Sequence, residues 1–174
     1  MTTASPPVNH SRVEQFLGPF EREVATTLKV LRAYPDDKLD LRPAEMSKTA
    51  QQLAWLFVAE MGLLKTAITT GFDWSKPMGG GPKPLGTIAE IAGALEGAHQ
   101  EVVRILRETP EDRLPKTVRF FVAPKTMGDI PTMDFLWFML HDQIHHRGQF
   151  SIYLRMAGAK VPSIYGPTAD EPWM

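Results

Sequence analysis

The stretch His141-Asp142-Gln143-Ile144-His145-His146-Arg147-Gly148-Gln149 lies inside a run over residues 130–157 that reads as one long helix. At about 100° per residue, Met133, Leu136, Leu140, Ile144 and Leu154 make one apolar face, and Phe138, Ile152 and Met156 make another. A helix with two apolar faces is covered on more than one side, either at the centre of a bundle or by a second subunit, which predicts a homodimer. Residues four apart differ by only about 40°, so His141 and His145 project together beside Phe138, Ile152 and Met156 and form a candidate pair of metal ligands. The alternative pair, Asp142 with His146, faces about 100° away, on the more polar side that also carries Gln149 and Tyr153. The two pairs cannot serve one ion, and the apolar surround favours the first.

Three further helices are predicted on the N-terminal side of this run. Ser11-x-x-Glu14 is a capping box, and Val13, Leu17, Phe20, Val24, Leu28 and Leu31 follow at helical spacing, giving a helix over 12–33. Ala50, Ala54, Phe57, Met61, Leu64 and Ile68 give a second over 48–70, stopped near Gly71. Thr87-x-x-Glu90 caps a third over 87–108, ended by Pro110. A short strand is expected at Thr117–Val122, with Pro131 in the first turn of the last helix, and the tail from Val161 packs over the bundle. The fold class is therefore all-α, a four-helix bundle forming a single domain over 1–174, with residues 1–10 flexible.

Composition narrows the function. Nineteen Lys and Arg against twenty Asp and Glu leave a net charge of -1 with no basic stripe, which argues against nucleic acid as a partner. No cysteine is present, so a Cys-based zinc site and a protein thiol nucleophile are excluded; thiol chemistry needs a thiol cosubstrate. No apolar run reaches the length of a membrane span and the N-terminus lacks the pattern of a signal peptide, so a cytoplasmic location is expected.

A catalytic metal needs a third protein ligand, and the second helix offers Glu60, within a stripe of Leu53, Leu56, Leu63 and Ala67. A carboxylate there must meet a cation or hydrogen-bond donors, and a metal satisfies it. Arg147, in phase with Leu140, Ile144 and Ser151, is expected to anchor a carboxylate or helix-end carbonyls. Glu96-x-x-His99 and Asp142-x-x-His145 also invite comparison with di-iron bundles, but the first helix offers only Glu14, Glu21 and Glu23, none clearly in its apolar stripe. No strand-turn-helix elbow presents a serine, and Gly79-Gly80-Gly81 precedes prolines rather than a phosphate-binding helix, so it reads as flexible punctuation.

The string from His141 to Gly158, followed by Val161-Pro-Ser-Ile-Tyr-Gly-Pro-Thr-Ala-Asp-Glu171, resembles the C-terminal half of the DinB-like (DinB/YfiT) family, and Gln51–Glu60 resembles that family's second helix. The resemblance implies an up-down-down-up bundle, commonly dimeric, holding a divalent metal such as zinc or nickel through three histidines. Two of these fall on His141 and His145, or on Asp142 and His146 where the pair is shifted by one. The third belongs to the second helix, at the position where this chain has Leu56. Glu60, one turn along, then completes the site, or the site is degenerate and the fold serves as a binding or scaffold dimer. The activities implied are those of metal-dependent transferases or hydrolases acting on small molecules, some with a low-molecular-weight thiol as cosubstrate.

Overall fold

Three of the helices start where a short polar side chain closes a capping box. In the computed structural model, which describes residues 11–75 and 86–174, the boxes are Ser11 with Glu14, Thr49 with Gln52 and Thr87 with Glu90. They open α1 (Arg12–Arg32), α2 (Ala50–Ile68) and α3 (Ile88–Glu108), and α4 follows at Thr132–Met156. Each box satisfies two backbone N–H groups that the first helical turn leaves unpaired. α2 starts later than residue 48 because Thr49, whose Oγ1 accepts from the Gln52 N–H at 3.2 Å, is the cap. Residues 1–10 and the Gly79-Gly80-Gly81 run lie outside the described residues.

Side-chain bridges fix the direction of each helix. Arg12 meets Asp134 at 3.2 Å and Arg147 meets Glu23 at 2.6 Å, so α1 and α4 run parallel. Arg32 with Glu96 (3.0 Å) and Arg107 with Glu21 (2.9 Å) make α3 antiparallel to α1. His146 with Glu60 (2.7 Å), together with Tyr153 donating to the Lys48 carbonyl (2.9 Å), makes α2 antiparallel to α4. The order is up-down-down-up: α1 packs on α3 and α4, α2 packs on the same two, and the pairs α1/α2 and α3/α4 are diagonal. Phe16, Phe20, Phe57, Phe135 and Phe150 fill the centre and are fully buried.

One departure from the sequence reading concerns the segment before α4. Thr117–Ala123 (β1) does form a strand, but Thr126–Pro131 pairs with it antiparallel as β2, turning through Lys125 at φ 60°. β2 contains Gly128, Asp129 and Pro131, which disfavour strand in isolation; pairing with β1 and packing override that preference. The hairpin seats Phe120 on Phe72 and Phe135, with ring centroids at 5.3 and 5.0 Å, and the Trp74 indole N–H donates to the Arg119 carbonyl at 2.7 Å. Because β2 consumes residues 130 and 131, α4 begins at Thr132.

The second apolar face of α4 remains open within one chain. Phe138, Ile152 and Met156 are 48, 56 and 46% exposed, so no helix among the described residues covers them. No helix among the described residues is long and apolar enough to cross a membrane.

Candidate metal centre

α4 presents two polar side chains to the bundle interior in succession, and their surroundings differ. Arg147 is 1% exposed and points at α1. Its guanidinium donates to the Glu23 carboxylate (2.6 Å), the Glu23 carbonyl (3.0 Å) and the Tyr165 hydroxyl (2.6 Å), and Tyr165 in turn donates to Glu23 at 2.8 Å. This is the carboxylate anchor expected of Arg147, with the C-terminal tail added as a third partner.

One residue earlier the chain turns by about 100° toward α2. There His146 Nδ1 and Glu60 Oε1 share a hydrogen bond at 2.7 Å, and Asp142 Oδ2 lies 3.8 Å from the same nitrogen. One ligand atom from each of Glu60, Asp142 and His146 falls within 4.8 Å of the others, the grouping among the described residues compact enough to hold a metal ion. Glu60 is 2% exposed, and among the described residues its Oε2 is buried without a hydrogen-bond partner. Burial pushes the Glu60 carboxyl above its ordinary value, contact with His146 only partly offsets this, and the neighbouring Asp142 carboxyl adds to the rise. The same contact raises His146, against the opposing effects of its burial and of the nearby Lys48 ammonium. An unpaired oxygen inside a protein costs about 1–3 kcal/mol, which a cation at this point would relieve. Two carboxylates and an imidazole are a donor set suited to zinc, nickel and related divalent ions. On the orphaned oxygen and on donor chemistry, these residues fit a metal.

The structure places the histidines preferred in the sequence elsewhere. His141 and His145 are exposed on the Phe138–Met156 side of α4; His141 lies beside Trp137, with ring centroids 6.2 Å apart, and His145 contacts Gln149 at 2.9 Å. Neither joins Glu60. α2 packs against the side of α4 that carries Asp142, His146 and Tyr153, not against its apolar Phe138–Met156 side. A signal was present in the sequence: on a helix apolar on two sides, a stripe of Asp142, His146, Gln149 and Tyr153 is the unusual one. The di-iron arrangement is not assembled either, since α3 and α4 are diagonal, Glu96 pairs with Arg32, and His99 packs on Phe20 at 4.9 Å between centroids. Leu56 is partly buried against the core on α2, one turn before Glu60.

Comparison with known proteins agrees with this architecture. The model of the DinB family matches residues 7–173. The uncharacterized protein YrdA of Bacillus subtilis (strain 168) is 29% identical over 160 residues, covering 91% of both chains. A DinB-like protein from Bacillus cereus ATCC 10987 superposes with a TM-score of 0.71 at 25% identity, over 87% of this chain and 97% of that one. YfiT from Bacillus subtilis, described as a probable metal-dependent hydrolase with an unusual four-helix bundle topology, gives a TM-score of 0.64 at 14% identity, over 90% and 95% of the two chains. With its family model spanning nearly the whole sequence and its bundle running up-down-down-up, the chain belongs to the DinB family.

Proposed function

We propose that this chain is a divalent-metal-dependent enzyme of the transferase or hydrolase type, acting on a small molecule, with the ion held by Glu60, Asp142 and His146. The observation that carries this reading is the buried, partnerless Oε2 of Glu60 within a group of three candidate ligand atoms. The description of YfiT as a probable metal-dependent hydrolase supports it. When bound, zinc or nickel would lower the pKa of a water or of the thiol of a cosubstrate. The chain's own contributions are positional. Arg147 clamps α4 to α1 and so fixes the direction of His146, while α2 holds Glu60 in an apolar wall that keeps water from competing.

The test is calorimetric titration of the chelator-stripped protein with zinc and with nickel. One equivalent should bind, His146→Ala should abolish binding, and His141→Ala or His145→Ala should change affinity less than about twofold, since neither reaches Glu60. Metal binding lost on His141→Ala but retained on His146→Ala would overturn the assignment.

A second reading, a non-catalytic DinB-fold dimer with a degenerate metal site, draws on Leu56, which stands where the resemblance calls for a histidine. In either reading we propose a homodimer through the open α4 stripe of Phe138, Ile152 and Met156. Sedimentation of the wild-type chain and of Ile152→Asp at micromolar concentration checks this, the substitution being expected to give monomers.

A further inference from the structure

The polar stripe that supplies Asp142 and His146 continues along α4. Asp142, His146, Gln149 and Tyr153 follow at steps of four, three and four, so all lie on one side of the helix. The last two, with Ile152, form one wall of a cleft of about 400 Å³, whose other wall is the chain entering α2, with Met46, Lys48 and Leu53. That volume is in the range of pockets that take small molecules. Leu53 stands two turns, about 10 Å, before Glu60, and Tyr153 two turns beyond His146; since α2 and α4 are antiparallel, the cleft begins about one small molecule's length from the cluster.

The wall bearing Lys48 is built in advance. Tyr153 donates to the Lys48 carbonyl at 2.9 Å, the Ala50 N–H donates to the Leu41 carbonyl at 2.9 Å, and the Gln51 N–H donates to the Leu39 carbonyl at 3.0 Å. Among the described residues no carboxylate forms an ion pair with Lys48, although Glu60 and Asp142 lie on the same flank of the bundle. The lining thus includes the cation of Lys48, the Gln149 amide, whose nitrogen also contacts His145, and two aliphatic side chains, Leu53 and Ile152.

We propose that this cleft is the substrate subsite of the metal centre and that it takes a small carboxylate with an aliphatic body, its single negative charge held by Lys48. The proposal rests on the reading of Glu60, Asp142 and His146 as that centre. The lysine in the lining suits a carboxylate, with Arg42 acting on Tyr153 from the side away from the cluster; a phosphate dianion would meet the acidic residues next to it more severely than a monoanion. Leu53 and Ile152 select for an apolar chain between the charged end and the metal, and Gln149 offers a hydrogen bond at the junction.

Hexanoate and its neutral counterpart hexanamide serve as probes, titrated into the full chain with and without zinc and followed by amide chemical shifts. Hexanoate should shift Lys48, Gln149 and Tyr153 in the metal-free protein, and hexanamide should bind about tenfold more weakly. Lys48→Met should erase that difference and Lys48→Arg should retain it; zinc affinity should stay within about twofold in Lys48→Arg and should not weaken in Lys48→Met, since the lost ammonium acts on His146. Hexanoate that binds only with zinc present, or that binds Lys48→Met as tightly as wild type, would overturn the proposal by placing the carboxylate elsewhere. If zinc fails to bind while the Lys48-dependent hexanoate site persists, the metal reading falls and the carboxylate site stands as an isolated pocket.

Discussion

Arg147 and His146 are neighbours in sequence, both polar and both turned into the bundle, yet they sit in opposite kinds of interior. Around Arg147 a carboxylate, a carbonyl and a tyrosine hydroxyl meet the guanidinium, leaving nothing for a ligand to add. Around His146 the acid partner keeps one buried oxygen without a donor, and a second carboxylate stands close by. Burial of charge is common to both sides, so burial alone does not mark a functional site. What separates them is whether the hydrogen-bonding capacity is used up. A saturated network rigidifies the fold; an incomplete one is a place where a cation gains more than it loses.

The contrast can be broken most directly at Arg147. Arg147→Ala removes one partner of a nearly buried ion pair and leaves Glu23 with Tyr165 as its remaining donor, so the cost in urea unfolding should be about 3 kcal/mol without any metal present. A loss under about 1 kcal/mol would mean the closed side is not closed.

Glu60→Gln should behave in the reverse manner. In metal-free protein the change removes a carboxylate that burial already disfavours, and stability should stay within about 1 kcal/mol of wild type or rise. In the same variant zinc affinity should fall by more than about 100-fold. Large destabilisation of the metal-free form would make Glu60 a structural partner of His146, like Glu23 with Arg147.

Leu56→His probes the edge of the open side. Position 56 is one turn before Glu60, on the flank leading to the cleft, and an imidazole there supplies a fourth candidate donor. Zinc affinity should rise about tenfold in calorimetry. An unchanged affinity would show that position 56 points away from the ion.

The smallest effect lies in the tail that brings Tyr165 to Arg147. Asp170 accepts from the Val161 N–H at 2.8 Å and pairs with Arg155, and these contacts, the backbone one foremost, hold its carboxyl below the ordinary 3.8. Because the folded value is depressed, the contribution of Asp170 is complete above 3.8 and lost as pH falls through the lowered value. Protection of the Val161 amide, relative to its intrinsic exchange rate, should therefore fall only in that acid range, and Asp170→Asn should remove that step.

Much of the architecture was legible because it rests on local chemistry. The three capping boxes and the three- and four-residue spacing of apolar positions specify helices whatever surrounds them, and the observed ends differ from the expected ones by a residue or two where a cap or a strand intervenes. β2 was not legible in this way: Thr126–Pro131 has weak strand preference and exists because β1 pairs with it.

The candidate site divides along the same line. Periodicity shows that Glu60 sits in an apolar stripe, that Arg147 needs a carboxylate or helix-end carbonyls as its anchor, and that α4 carries candidate histidine and carboxylate ligands at four-residue spacing on two different sides. Which of those sides meets Glu60 was decided only by the tertiary structure. Periodicity fixes angles around one helix axis but not the rotation of that helix against its neighbours; here α2 packs on the Asp142 and His146 side and leaves His141 and His145 exposed.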